Sequence, residues 1–215
     1  MKDIILIGFG GCMRELAWQI QELNKEKRAW HILGYVDKEK PNSGSEVNVG
    51  GRQIKYLGDD DFLIHRTVDT NIAVCVGDPG LRGKIVHKLK VNPKLHFPNV
   101  ILGNTRICQD VKMGEGCIIS MDTRISTNVR LGDFVFLNIG SMICHDGVVG
   151  DYVTLSPDVK LAGDVHIGGG CNIGLGTKVI QGIRIGSNVV TGAGSVVVRD
   201  IESECTVAGV PARKI

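Results

Sequence analysis

The stretch that decides the fold lies in the second half of the chain, where residues 137–168 read LNIGSMICHDGVVGDYVTLSPDVKLAGDVHIG. An aliphatic residue returns at every sixth place, as at Leu137, Ile143 and Val149. An amphipathic helix repeats its apolar positions every three or four residues and a half-buried strand every two, so neither has this period. Short strands joined by turns and stacked as a parallel coil do have it, and the stretch therefore predicts a β-helix.

The same phase extends in both directions without an insertion. Gly follows the aliphatic place in several hexads, where a close turn tolerates little else, and 29 Gly residues with only 5% aromatic residues agree with this. Thr191 is the one polar residue in the series. The aliphatic places are Ile101, Ile107, Met113, Ile119, Ile125, Leu131, Leu137, Ile143, Val149, Leu155, Leu161, Ile167, Ile173, Val179 and Ile185.

The first half has a different pattern, typical of a small α/β unit. An apolar strand at residues 3–7 runs into a Gly-rich turn, and residues 14–27 then have helical spacing. Further strands are expected at residues 31–36 and 71–76, with a helix at 81–89. Three strands suffice for a small Rossmann-like sheet. Two prolines between residues 92 and 98 mark the boundary, which predicts an α/β domain at 1–98 and an all-β coil with a C-terminal cap at 99–215.

The Gly-rich turn, with Gly8, Gly10 and Gly11, is a candidate phosphate site. Backbone N–H groups at a helix N-terminus bind anions, and Asp37 at the end of the second strand could accept a hydrogen bond from a ribose or a base. Met13 stands where the third Gly of a dinucleotide fingerprint would be. A tight turn with a surface Asp and no ligand is the alternative interpretation.

Composition excludes several classes of function. The formal charge is +2 without a long basic run, which argues against nucleic acid as a partner. Neither a signal peptide nor a membrane span is expected, so the protein is predicted to be cytoplasmic. The seven cysteines show no CxxC pair and no Cys/His cluster at metal-ligand spacing, so we expect free thiols and no metal.

Taken together, the GFGG turn, GYVD at residues 34–37, VGD with Arg82, and the hexads around His145 resemble the bacterial sugar acetyltransferases of the PglD/NeuD type. The resemblance covers nearly the whole chain. It implies a left-handed coil with three hexads per turn, acetyl-CoA as the co-substrate, and the amine of a nucleotide-linked amino sugar as the acceptor in surface-glycan biosynthesis. It also implies a homotrimer with active sites between subunits.

The resemblance assigns roles to individual residues. His145 corresponds to the catalytic base, Asp146 to its acidic partner, and Asn138 to a position near the sugar. Gly163, one coil after His145, corresponds to the contact with the thioester carbonyl of acetyl-CoA. Two further positions, Leu175 and Ala193, correspond to the lining of the pantetheine arm.

The residues themselves support His145 independently. An amine that attacks a thioester must lose a proton, and imidazole accepts one near neutral pH. Neighbouring side chains on an extended strand point to opposite sides, so Asp146 reaches the ring only if the backbone bends, and Gly147 is expected to allow that bend. An ordinary outward histidine beside a turn Asp is the alternative.

Three departures from the resembled family and two rival functions complete the sequence-based interpretation. Cys12 and Met13 stand where the family commonly has His and Gly, and Thr154 stands where it commonly has a histidine. The same base would serve a hydroxyl, so sugar or sialic acid O-acetylation is one alternative. A non-catalytic trimeric nucleotide-binding scaffold is the other, and it would have no use for His145 and Asp146.

Overall fold

The computed structural model describes residues 1–38 and 46–215, which form two compact units. The first comprises residues 1–77 and 81–98, and the second comprises residues 78–80 and 99–215. Within the described ranges, no helix combines the length and apolar character needed to cross a membrane.

The first unit is a six-stranded sheet in the order β3-β4-β2-β1-β5-β6, with helices between its strands. All neighbouring strands are parallel except β3 and β4, which form an antiparallel hairpin. The strands are β1 Lys2–Ile7, β2 Trp30–Val36, β3 Glu46–Val49, β4 Arg52–Gly58, β5 Thr70–Val74 and β6 Leu95–His96. The helices are α1 Gly11–Glu26, α2 Asp60–Ile64 and α3 Pro79–Leu89.

The core of this unit follows from its apolar spacing. The last four residues of β1 are buried, as a central parallel strand requires. Helix α1 buries one face, including Leu16, Ala17 and Ile20.

The sheet is larger than the three strands that the sequence predicts. The missed hairpin turns at Gly50 and Gly51, whose φ angles of 56° and 81° suit a two-residue hairpin loop. The Gly-Gly pair was the signal for it.

The second unit is a parallel β-helix whose coil has three sides. Sheet one starts with β7, sheet two with β8 and sheet three with β9, and up to β23 every third strand belongs to the same sheet. The strands are β7 Val100–Ile101, β8 Arg106–Ile107, β9 Lys112–Met113, β10 Ile118–Ile119, β11 Arg124–Ile125, β12 Arg130–Leu131, β13 Phe136–Leu137, β14 Met142–Ile143, β15 Val148–Val149, β16 Thr154–Leu155, β17 Lys160–Leu161, β18 His166–Ile167, β19 Asn172–Ile173, β20 Lys178–Val179, β21 Arg184–Ile185, β22 Val190–Thr191, β23 Val196–Val197, β24 Thr206–Ala208 and β25 Arg213–Lys214.

Strand pairing confirms the predicted phase. From β7 to β23, neighbouring strands within a sheet are 18 residues apart, as Ile119 is from Ile101 and Leu137. The aliphatic places from Ile119 to Ile185 point inward and are buried, and Thr191 continues the column with 2% exposure. Ile101, in the first coil, is 38% exposed and departs from this rule.

The Gly residues after the aliphatic places are required by the spacing between coils. A Cβ added to Gly150 would lie 2.6 Å from the backbone N of Gly169 in the next coil. The left-handed φ angles fall two places later in the hexad, at residues such as Asn128, Asp146 and Gly176. Close stacking of backbones therefore demands the first set of glycines. The left-handed turn places are instead filled by Gly or, in most other turns, by Asn or Asp.

Candidate functional site

The turn between β14 and β15 brings His145 and Asp146 together. Nδ1 of His145 lies 2.8 Å from Oδ2 of Asp146. The two side chains are 51% and 50% exposed, so the pair stands on the outer surface of the coil. This is the corner where sheet two passes into sheet three, which we call the second corner.

The backbone bend that permits this contact is made by Asp146 itself. Its φ angle is 62°, in the left-handed region that Asp and Asn visit more readily than most residues. Gly147, which was expected to supply the bend, serves packing instead, because a Cβ there would lie 2.7 Å from Cγ2 of Ile143.

The carboxylate of Asp146 is held in its ionised form. Hydrogen bonds from Asn128 and from His145 lower the pKa of Asp146 from its ordinary value of 3.8. A lowered pKa means that the stabilising contact is present above the ordinary pKa and is lost only as pH falls through the lowered one. The ionised carboxylate can accept the Nδ1–H of a neutral imidazole, and in that tautomer the lone pair is on Nε2.

Gly163 lies directly beside the ring, one coil further on. The backbone N–H of Asp164 donates to the carbonyl of His145 at 2.9 Å, so the two turns are in contact. A Cβ on Gly163 would come within 2.4 Å of Cε1 of His145 and 2.5 Å of Nε2. Among the described residues nothing accepts a hydrogen bond from the Gly163 N–H.

The remaining predicted residues of the coil lie at a different corner, where sheet one passes into sheet two. Leu175 and Ala193 belong to neighbouring turns of this first corner, since the Gly194 N–H donates to the Leu175 carbonyl at 2.7 Å. Asn138 opens a turn of the same corner, and its Oδ1 accepts the Ile139 N–H at 2.8 Å. Within one chain, a side of the coil, roughly 15–20 Å long, separates this corner from His145.

In the first unit the Gly turn and Asp37 follow neighbouring parallel strands. The N–H of Gly8, where φ is 108°, donates to the carbonyl of Val36 at 2.8 Å, which ties the turn to the end of β2 just before Asp37. Gly10 is the N-cap of α1. A Cβ on Gly10 or Gly11 would meet nothing within 4 Å, so both backbones are open to a ligand.

Two residues beside the Gly turn differ in character from the family pattern. Met13, at the place of the third Gly, is fully buried and packs into the core. The pKa of the Cys12 thiol is raised to about 12 by burial and by the nearby Glu15. Cys12 therefore stays protonated near neutral pH and supplies no general base where the family commonly has a histidine.

Asn128 is the residue of this site that the sequence analysis missed. It donates to Oδ1 of Asp146 at 2.7 Å from the preceding coil. The signal was available, because residues 18 apart stack in the coil and 146 minus 18 is 128.

Over the described residues there is no group of three or more His, Cys, Asp or Glu that could hold a metal ion.

Comparison with known proteins relates both units to one group of enzymes. Residues 3–89 match the PglD N-terminal domain family. No curated protein sequence matches the chain.

Solved structures that match the whole chain include the following three. GDP-perosamine N-acetyltransferase from Caulobacter crescentus, solved with CoA and GDP-perosamine, is 26% identical with a TM-score of 0.87, covering 100% of this chain and 97% of that one. The acetyltransferase domain of PglB from Neisseria gonorrhoeae, solved with acetyl coenzyme A, is 26% identical with a TM-score of 0.86, covering 100% and 99%. WeeI from Acinetobacter baumannii is 26% identical with a TM-score of 0.83, covering 100% of both chains.

These matches confirm the expected architecture. An N-terminal α/β region is followed by the left-handed parallel β-helix of the hexapeptide-repeat acyltransferases.

Proposed function

We propose that this chain, a hexapeptide-repeat sugar acetyltransferase with a PglD N-terminal domain, transfers the acetyl group of acetyl-CoA to the amine of a nucleotide-linked amino sugar. Structures alike over their whole length include an N-acetyltransferase solved with CoA and a nucleotide-linked amino sugar, and a domain solved with acetyl coenzyme A. The acceptor we propose is a 4-amino-4,6-dideoxy sugar used in surface-glycan biosynthesis.

The observation that carries the mechanism is the contact of His145 with Asp146 beneath Gly163. Asp146 holds Nδ1–H, so Nε2 can take a proton from the sugar amine as its nitrogen attacks the thioester carbonyl. The carbonyl oxygen gains negative charge as the C–N bond forms, and in this proposal the N–H of Gly163 donates to it. The C–S bond then breaks, and the imidazolium returns the proton to the departing thiolate.

The nucleotide part of the substrate is assigned to the first unit. Open backbone at Gly10 and Gly11, at the start of α1, suits the diphosphate. Gly8 ties this turn to the end of β2, where Asp37 can accept a hydrogen bond from the ribose or base.

The pairing of His145 with Asp146 favours this activity over a scaffold, because a scaffold has no need of a base held in one tautomer. An amine acceptor is preferred to a hydroxyl on the strength of the solved N-acetyltransferase that matches the chain. We also propose that the protein acts in the cytoplasm, where acetyl-CoA and nucleotide sugars are available, and as a homotrimer.

The trimer is supported by the positions of the site residues. Asn138, Leu175 and Ala193 lie at the first corner, and His145 and Gly163 at the second. A compact site that uses both sets needs the first corner of one chain to meet the second corner of another. Burial at such an interface would also remove water from a base that is half exposed in the single chain.

The test is thiol release from acetyl-CoA by the purified protein, offered GDP- and UDP-linked 4-amino-4,6-dideoxy sugars in parallel. We expect release with one of these sugars and a loss of at least about 10²-fold in kcat for His145→Ala. A product gaining one acetyl group by mass identifies the amide.

Two results would overturn parts of the proposal. Full activity of His145→Ala would show that His145 is not the base. Thiol release with hydroxyl acceptors alone would replace N-acetylation with O-acetylation. As a matched control, His31→Ala breaks another exposed histidine–aspartate pair, in which Nδ1 of His31 lies 2.8 Å from Oδ1 of Asp3 at the start of β2, and it should retain kcat.

A further inference from the structure

Hydrogen-bonded polar side chains connect three stacked turns of the second corner, and the last of them contacts the proposed base. Asp110, in the lowest of three stacked turns, accepts the hydroxyl of Thr127 at 2.6 Å and the N–H of Asn128 at 2.9 Å. These bonds fix the middle turn from below. The carbonyl of Thr127 then accepts the Asp146 N–H at 3.1 Å, and the Asn128 amide donates to Asp146 Oδ1 at 2.7 Å.

The two oxygens of Asp146 thus have separate partners. Oδ1 accepts Asn128 and Oδ2 faces Nδ1 of His145 at 2.8 Å. A carboxylate on an exposed corner rotates unless both oxygens are engaged, and Asp146 is half exposed. The amide of Asn128 is the contact that selects the orientation in which Oδ2 meets the ring.

We propose that Asn128 is a positioning residue for the acetyl transfer, which orients Asp146 and through it the imidazole of His145. This rests on the proposed function. In the proposed mechanism Asn128 contacts no reacting atom. Its effect is on the step in which His145 takes the proton, so it should act on kcat and leave substrate binding alone.

The chain contains a matched pair of contacts for testing this. Asn104 donates to Oδ1 of Asp122 across the first corner, one coil apart, just as Asn128 donates to Asp146. Both asparagines have left-handed φ angles, 57° and 55°, which Gly adopts freely. Asp122 follows Met121 where Asp146 follows His145, so only the Asn128 contact leads to a histidine.

The experiment compares Asn128→Gly with Asn104→Gly in the full-length protein, with steady-state kinetics for both substrates and thermal unfolding. Asn128→Gly should lower kcat by about tenfold, the value of one hydrogen bond to a charged group. KM for acetyl-CoA and for the sugar should stay unchanged. Asn104→Gly should keep kcat although it loses a comparable hydrogen bond. If both variants lower Tm by a similar amount, a loss of kcat in Asn128→Gly alone reflects catalysis and not stability.

A double-mutant cycle distinguishes positioning from a general structural effect. If Asn128 acts through Asp146, Asn128→Gly should have no further effect on kcat in an Asp146→Gly background. Additive losses, an unchanged kcat in Asn128→Gly alone, or an equal loss in Asn104→Gly would each overturn the inference. Activity retained in His145→Ala would instead refute the proposed base, which keeps the two failures distinct.

Discussion

At the scale of single residues, the proposed site requires a residue without a side chain at Gly163. Gly163 has an ordinary φ angle, so Ala there is not strained by its backbone, but its Cβ would overlap the ring of His145 at 2.4 Å. We expect Gly163→Ala to turn the imidazole away from the attacking amine and to lower kcat by roughly 10²-fold, since small displacements of a base are costly. The measurement is steady-state kinetics with a thermal unfolding curve.

The control for that substitution is Gly103→Ala. Gly103 occupies the same place of its hexad, and a Cβ there meets nothing within 4 Å. Unchanged kcat in Gly103→Ala with a loss in Gly163→Ala ties the effect to the ring. A normal kcat in Gly163→Ala would mean that the histidine is free to move or is not the base.

Sequence reasoning at this scale found which residues are near each other and missed how they are held. The 18-residue step placed Gly163 over His145. The bend was expected to be allowed by Gly147, whereas Asp146 itself adopts the left-handed conformation. Side-chain orientation depends on contacts from a neighbouring coil, such as that of Asn128 in the preceding one. The 18-residue step could have indicated this contact, whereas the local hexad pattern does not.

At the scale of the repeating hexad, Thr191 is informative because it breaks the aliphatic rule and is still buried. Its hydroxyl lies 2.9 Å from the hydroxyl of Thr177 and accepts the N–H of Gly174 at 2.9 Å. Thr191→Val should therefore destabilise the protein by about 1 kcal/mol despite its greater hydrophobicity, because it takes a partner from the buried Thr177 hydroxyl. Chemical denaturation measures the change.

Thr123→Val provides the comparison. The Thr123 hydroxyl is equally buried, and it has no hydrogen-bond partner in the described structure. Removing it should leave stability unchanged or raise it. If both variants were stabilised, the Thr191 hydroxyl would contribute nothing to the coil.

Elements with a strong period were predictable, and those without one were not. The hexads of the coil repeat over nearly a hundred residues, so their phase is set many times over. In the first unit, β3, β4 and β6 are short or have mixed polarity, and the sequence gives little periodicity by which to detect them. The strands β4 and β6 also depend on pairing with strands distant in the chain, β2 and β5, which is a tertiary effect.

At the scale of the whole molecule, the proposed trimer has a consequence that can be measured. Asn138 and His145 lie at different corners of one chain, and the proposed site takes them from different chains. Asn138→Ala and His145→Ala should each be poorly active alone. Co-expressed or refolded together, they should regain activity, because some mixed interfaces carry both native residues.

Light scattering of the unmodified protein gives the chain count in parallel. A trimer whose mixed variants stay inactive would place Asn138 and His145 in the same site of one chain. Full activity of Asn138→Ala alone would leave Asn138 outside the site. A monomer with full activity would refute the shared site altogether.

The short strand β25 gives the β-helix a property unrelated to its chemistry. A stack of parallel strands offers an unpaired edge at its end, onto which another chain could add, as in fibril growth. Here β25 folds back antiparallel against β24, and its two residues, Arg213 and Lys214, are exposed cations. Reversed strand direction and positive charge together make this edge of sheet one a poor template for adding another chain.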